Sequence, residues 1–115
     1  MTFIKSITHI ENEYIGYEIV TNEYTIGLKI ENFQYCCEDF GTNIIYPDNK
    51  SKEDILGAEI TNVCWGRDFV NNAVKRVQIE ITTNKGLIII QCYKYGYYLH
   101  SLCAYWDGYK DEQEL

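Results

Sequence analysis

Tyr14-Ile15-Gly16-Tyr17-Glu18-Ile19-Val20-Thr21-Asn22-Glu23-Tyr24-Thr25-Ile26-Gly27-Leu28-Lys29-Ile30 is the most telling stretch of the chain. Ile15, Tyr17 and Ile19 alternate with more polar positions, and Tyr24, Ile26, Leu28 and Ile30 do the same after a short polar break. That is the two-residue period of half-buried strands. With Asn22-Glu23 as a two-residue turn, Ile19 falls opposite Ile26, Tyr17 opposite Leu28 and Ile15 opposite Ile30, so turn and apolar pattern demand the same antiparallel register.

The pattern repeats further along the chain. Val77, Ile79 and Ile81 alternate with Gln78, Glu80 and Thr82, and Thr83-Asn84-Lys85-Gly86 reads as a type I turn in which Gly86 takes a positive φ. The returning strand, Leu87 to Tyr93, is apolar at nearly every position, which predicts an interior strand covered on both faces. A turn at Tyr95-Gly96 then leads to a strand over Tyr97–Trp106, expected beside it. Between the hairpins, Ser51 with Asp54 three residues on forms a capping-box pattern, and Gly57 can end the turn, so one short helix is predicted near 51–57. Ala58–Trp65 reads as a strand and Gly66–Ala73, with Asn71-Asn72, as a loop. The acidic tail Asp107–Leu115 is expected to fray at its end. The sum is a mainly β fold, seven or so antiparallel strands in a sandwich or partial barrel with one short helix.

At 115 residues and 46% hydrophobic, residues 1–115 fit a single domain able to bury a core without metal or disulfide staples. The longest aliphatic run, Leu87-Ile88-Ile89-Ile90, is far short of the roughly 20 residues that cross a bilayer, so no membrane span is expected. Met1-Thr2-Phe3-Ile4-Lys5 lacks a basic-then-apolar leader, which predicts a cytoplasmic protein. Five cysteines (Cys36, Cys37, Cys64, Cys92, Cys103) are odd in number and none sits in a Cys-x-x-Cys pair, so they read as reduced thiols. A formal charge of -7 opposes direct nucleic-acid binding and favours docking on a basic protein, such as one that itself holds nucleic acid.

The order of several short motifs resembles an uncharacterised family of small proteins found mainly in bacteriophages and prophages. Those motifs are the early hairpin followed by Cys36-Cys37-Glu38, then Glu53-Asp54-Ile55-Leu56-Gly57, Thr82-Thr83-Asn84-Lys85-Gly86, and Gly96-Tyr97-Tyr98. Nearly the full chain is covered. Lys94-Tyr95 stands where the family tends to have Ser-Asn, and the family lacks a histidine at the position of His100. The resemblance implies a mobile-element origin and, by association with other small acidic phage proteins, antagonism of host defence; it brings no established chemistry.

Cys36-Cys37-Glu38-Asp39 is the one tetrapeptide that suggests a nucleophile, but a thiolate needs a nearby base or cation, and the only histidines are His9 and His100. Adjacent cysteines on a strand face opposite ways, so one of the two is expected in the core. Neither Cys36-Cys37 nor His100 to Cys103 brings both side chains onto one zinc ion from a strand, and calcium loops, phosphate-binding glycine loops and serine elbows are missing. The reading is therefore a non-enzymatic binding protein without metal or cofactor.

Tyr93-Lys94-Tyr95-Gly96-Tyr97-Tyr98-Leu99-His100 gathers rings, a glycine turn and two cationic groups. Tyrosine joins a large rigid contact area to a hydroxyl, and the chain has 11 of them. Against a recognition edge stands the plain alternative that aromatics are good strand formers and that His100, in phase with Leu102 and Trp106, is a satisfied core histidine. Lys94, Tyr95, Tyr97, Tyr98 and His100 are the first binding candidates, joined by the acidic Glu38, Asp39, Asp107 and Asp111. The expected role is an inhibitor of a bacterial immune system, its partner an immune effector protein such as a CRISPR effector, whose nucleic-acid channel is basic. The alternatives are a sponge for a cyclic nucleotide immune signal, whose pocket a homodimer could assemble from both chains, and, third, a cysteine-dependent enzyme.

Overall fold

The computed structural model describes residues 1–36, 38–66, 68–70 and 74–115. Cys37 and the Asn71-Asn72 part of the expected loop lie outside the described residues. Among the described residues ten strands and one helical turn follow in the order β1 (Thr2–Glu11), β2 (Tyr14–Thr21), β3 (Thr25–Glu31), β4 (Asp39–Ile45), α1 (Lys52–Ile55), β5 (Glu59–Trp65), β6 (Phe69–Val70), β7 (Val74–Thr83), β8 (Gly86–Tyr95), β9 (Ser101–Trp106) and β10 (Tyr109–Glu114). All pairings are antiparallel, in the spatial order β10-β9-β3-β2-β1-β5-β7-β8-β4 with β6 beside β7.

β1 explains how one sheet becomes a sandwich. Its first residues, Thr2 and Phe3, pair with β5, and from Ile4 onward it pairs with β2, with a register shift between Ile4 and Ser6. Such irregularities bend a strand and increase its twist, so the sheet folds over and the β2–β3 surface packs on β4 and β8. The core between the halves is built from the alternate residues that face inward: Ile19, Ile26, Leu28 and Ile30 from one, Ile79, Ile81, Ile88 and Ile90 from the other.

Local signals hold where the chain folds on its neighbours. Ile19 pairs with Ile26, Tyr17 with Leu28 and Ile15 with Ile30, as the apolar pattern requires. The turn is tightened by Thr21, whose hydroxyl oxygen accepts from the Glu23 and Tyr24 N–H groups at 3.1 and 2.9 Å. Gly86 has φ 121°. At α1 the Ser51 N–H donates to the Asp54 carboxylate at 2.8 Å, which holds that carboxyl below its ordinary range, and Gly57 ends the turn at φ 84°.

Non-local expectations are corrected. The strand expected over Tyr97–Trp106 begins at Ser101 and lies between β3 and β10, in the opposite half from β8. β8 is interior but buried on one face only, since Leu87 and Tyr95 are exposed. The Gly66–Ala73 loop contains β6. The tail does not fray: Asp107 and Gly108, at φ 41° and 78°, form a two-residue turn, β10 pairs along β9, and Leu115 is buried with backbone bonds in both directions to His100. Such a turn needs positive φ at both centres, which Asp-Gly supplies at low cost.

Candidate functional site

Lys94 occupies the inward phase of β8 after Ile88, Ile90 and Cys92, so it is carried into the interior with only 1% of its surface exposed. Gly96 then turns the chain at φ 153°, and a Cβ there would stand 2.6 Å from the Glu38 carboxylate. Tyr97, Tyr98 and Leu99 are thrown outward, Tyr97 to 80% exposure, before His100 returns to the core at 0%. The loop is thus an exposed aromatic tip between two buried polar anchors.

Glu38, in the link between β3 and β4, ties the anchors together. Its side chain is buried; one oxygen meets His100 Nε2 and the other accepts from the Tyr98 N–H at 3.3 Å. Lys94 Nζ donates to the Tyr98 carbonyl, and Gln34 donates to the Glu38 carbonyl. His100 Nδ1 lies 3.1 Å from the Glu31 carbonyl, which can only accept, so Nδ1 carries a hydrogen. Burial, with Lys75 nearby, pushes the Lys94 ammonium below the ordinary lysine range, while Glu38 acts the other way.

Rings cover this network. Tyr35 stacks on Tyr98 with centroids 4.9 Å apart and turns its edge to His100 at 5.1 Å; Phe40 approaches His100 at 4.9 Å and Phe33 approaches Tyr35 at 4.8 Å. Phe33, Tyr95, Tyr97, Tyr98 and Leu99 are all exposed large apolar side chains at this end of the molecule.

Of the expected site residues, the fold brings Glu38, Asp39, Lys94, Tyr95, Tyr97, Tyr98 and His100 to one end, Asp39 being the register partner of Tyr95. Glu38, Lys94 and His100 are buried and hold the loop, which leaves Tyr95, Tyr97, Tyr98 and Asp39 as the exposed groups among them. Asp107 and Asp111 are elsewhere: Asp107 lies at the far end of the six-residue β9, about 20 Å along the strand from His100, and Asp111 faces Ala104 across the β9–β10 ladder with Gln113 donating to it at 2.6 Å. Sequence reasoning missed Phe33, Gln34, Tyr35 and Phe40; the aromatic alternation Phe33-Gln34-Tyr35 beside Cys36 was the available signal. Cys36 is exposed in a turn, whereas Cys92 and Cys103 are buried, and burial pushes the Cys92 thiol up to about 12.

Elsewhere, the outer face of β2, β3, β9 and β10 carries a cleft of about 400 Å³ lined by Tyr14, Lys29, Cys103, Lys110 and Glu112, in which Lys110 is paired to Glu112 at 3.3 Å. No group of three metal-ligating side chains occurs among the described residues, and no described helix is long and apolar enough to cross a membrane. Comparison of the chain with family models, curated proteins and solved structures finds no match.

Proposed function

We propose that the protein is a non-enzymatic binding module that presents the Tyr95–Leu99 tip, with Phe33 and Tyr35 beside it, to a basic protein partner. The observation that carries this reading is the contrast between an exposed Tyr97-Tyr98-Leu99 and the buried Glu38, Lys94 and His100 that pin it at both ends. A tip held this way loses little freedom on binding, and rigid aromatic anchors are the groups that dominate interface energetics. The chain's net charge of -7 steers it toward a positive surface. Together with the resemblance to phage and prophage proteins, this favours a bacterial immune effector with a basic nucleic-acid channel as the target, met in the bacterial cytosol.

The other readings have less support. A nucleotide sponge would use Lys94 and His100 on phosphate, and both are buried; the cleft beside Lys29 carries charges of both signs. A thiol enzyme would need a base, and both ring nitrogens of His100 are already engaged by Glu31 and Glu38. The test is affinity capture from a bacterial lysate at low and high salt. Recovery of a basic nucleic-acid-binding protein that is released as salt rises supports the proposal, and retention independent of salt removes the charge-steering part of it.

A further inference from the structure

We infer that β4 is a self-pairing edge, and that a second copy of this chain adds to it through a twofold axis at Thr42. The inference is independent of the binding role of the aromatic tip. The sheet path has two ends, and they are built differently. β10 carries Lys110, Asp111, Glu112 and Glu114 along its length, the charged dressing that discourages edge-to-edge pairing. β4, Asp39-Phe40-Gly41-Thr42-Asn43-Ile44-Ile45, carries one charge, pairs with β8 on one side and has no described strand on the other.

The ladder shows which backbone groups that edge offers. Thr83 and Gly86 flank a two-residue turn and are a hydrogen-bonded pair, so from Gly86 onward alternate residues of β8 bond β7 and those between them bond β4. Two contacts agree with this phase: the Gln78 carbonyl accepts from Gly66 at 2.9 Å on the side of β7 away from β8, and the Gln91 carbonyl accepts from the Thr42 hydroxyl at 2.7 Å on the β4 side. Asp39, Gly41, Asn43 and Ile45 therefore bond β8, and the N–H and C=O groups of Phe40, Thr42 and Ile44 point to the free edge. The Phe40 N–H is held by its neighbour Asp39 at 3.0 Å; among the described residues no such side-chain contact occupies the Thr42 or Ile44 N–H.

Thr42, Phe40 and Ile44 are also the residues that a twofold axis at Thr42 would bond. In that register Thr42 meets Thr42, Phe40 meets Ile44 on the inner face, and Asp39 meets Ile45 on the outer, so no like charges oppose each other. Two chains of charge -7 repel over most of their surfaces. β4 is where they can approach, and Ile45 at 43% exposure, with Leu87 on the same face of β8, adds apolar area there.

Sedimentation equilibrium of the full chain over a wide concentration range tests this. The expected result is a mass that rises from one chain to two. Ile45→Asp sets two like-charge pairs against Asp39 and should lower the association constant about tenfold, and adding Asp39→Lys should restore it by making both pairs opposite in sign. Positions 39 and 45 lie at opposite ends of one strand, so restoration cannot arise within a single chain. A single-chain mass at every concentration, association indifferent to Ile45→Asp, or no restoration in the double variant would each overturn the inference; the wild-type series decides even if a variant fails to fold.

Discussion

His100 and Glu38 meet in the interior: Nδ1 donates to the Glu31 carbonyl at 3.1 Å, Nε2 faces the Glu38 carboxylate, and both side chains are buried. The pair joins the β3–β4 link to the start of β9, and its second oxygen holds the Tyr98 N–H. A polar network placed under an aromatic tip fixes the tip's geometry, provided every member is satisfied.

Removing one partner should expose that dependence. Glu38→Ala leaves His100 and the Tyr98 N–H without an acceptor, and breaking a buried pair costs about 3 kcal/mol or more. Urea unfolding should show that loss, with a smaller one for Glu38→Gln, which keeps an acceptor in place.

Lys94 gives a pH signature of known sign. Its folded value lies below the ordinary 10.5, so between the two values the unfolded chain holds a proton that the folded chain has released. Stability contributed by this site therefore rises with pH through that window. Wild type should gain relative to Lys94→Met as pH climbs from neutrality toward 10.5, read by denaturation at each pH; a constant difference would mean that burial does not shift Lys94.

The C-terminus should matter to stability. Leu115 is 4% exposed and exchanges backbone bonds with His100, so Leu115→Ala should cost about 2 kcal/mol, whereas Glu114→Ala on the exposed β10 face should cost little.

The unequal success of sequence reading has a physical reason. The β2–β3 register, the Gly86 turn and the Ser51–Asp54 cap depend on residues a few positions apart, and those signals are written locally. That β9 crosses to β3 depends on burial summed over the whole core, for which one strand's pattern carries no address. In Tyr93–Leu99 nearly every position is bulky, so alternation gave no contrast from which to see that Lys94 points inward and Tyr97 outward. Asp107-Gly108 is itself a local hairpin signal, which a reading of the tail by its acidity alone passes over.

Close approach explains one glycine. A Cβ on Gly27 would stand 2.2 Å from the Tyr105 ring, which lies across it and donates its hydroxyl hydrogen to Glu18. Gly27→Ala should cost about 2 kcal/mol by displacing that ring. In the Tyr105→Ala background the same change should cost clearly less, and additive losses would show that the ring is not what Gly27 accommodates.

The binding claim rests on the aromatic tip, and parallel affinity capture with wild type and Tyr97→Ala tests it most directly. Tyr97 is 80% exposed, so its truncation should leave the melting temperature unchanged. The account predicts that wild type retains a basic protein partner which Tyr97→Ala loses, with a cost of about 2 kcal/mol when the isolated pair is titrated. Equal retention by a folded Tyr97→Ala, with Tyr98→Ala and Leu99→Ala behaving alike, would place the binding surface elsewhere.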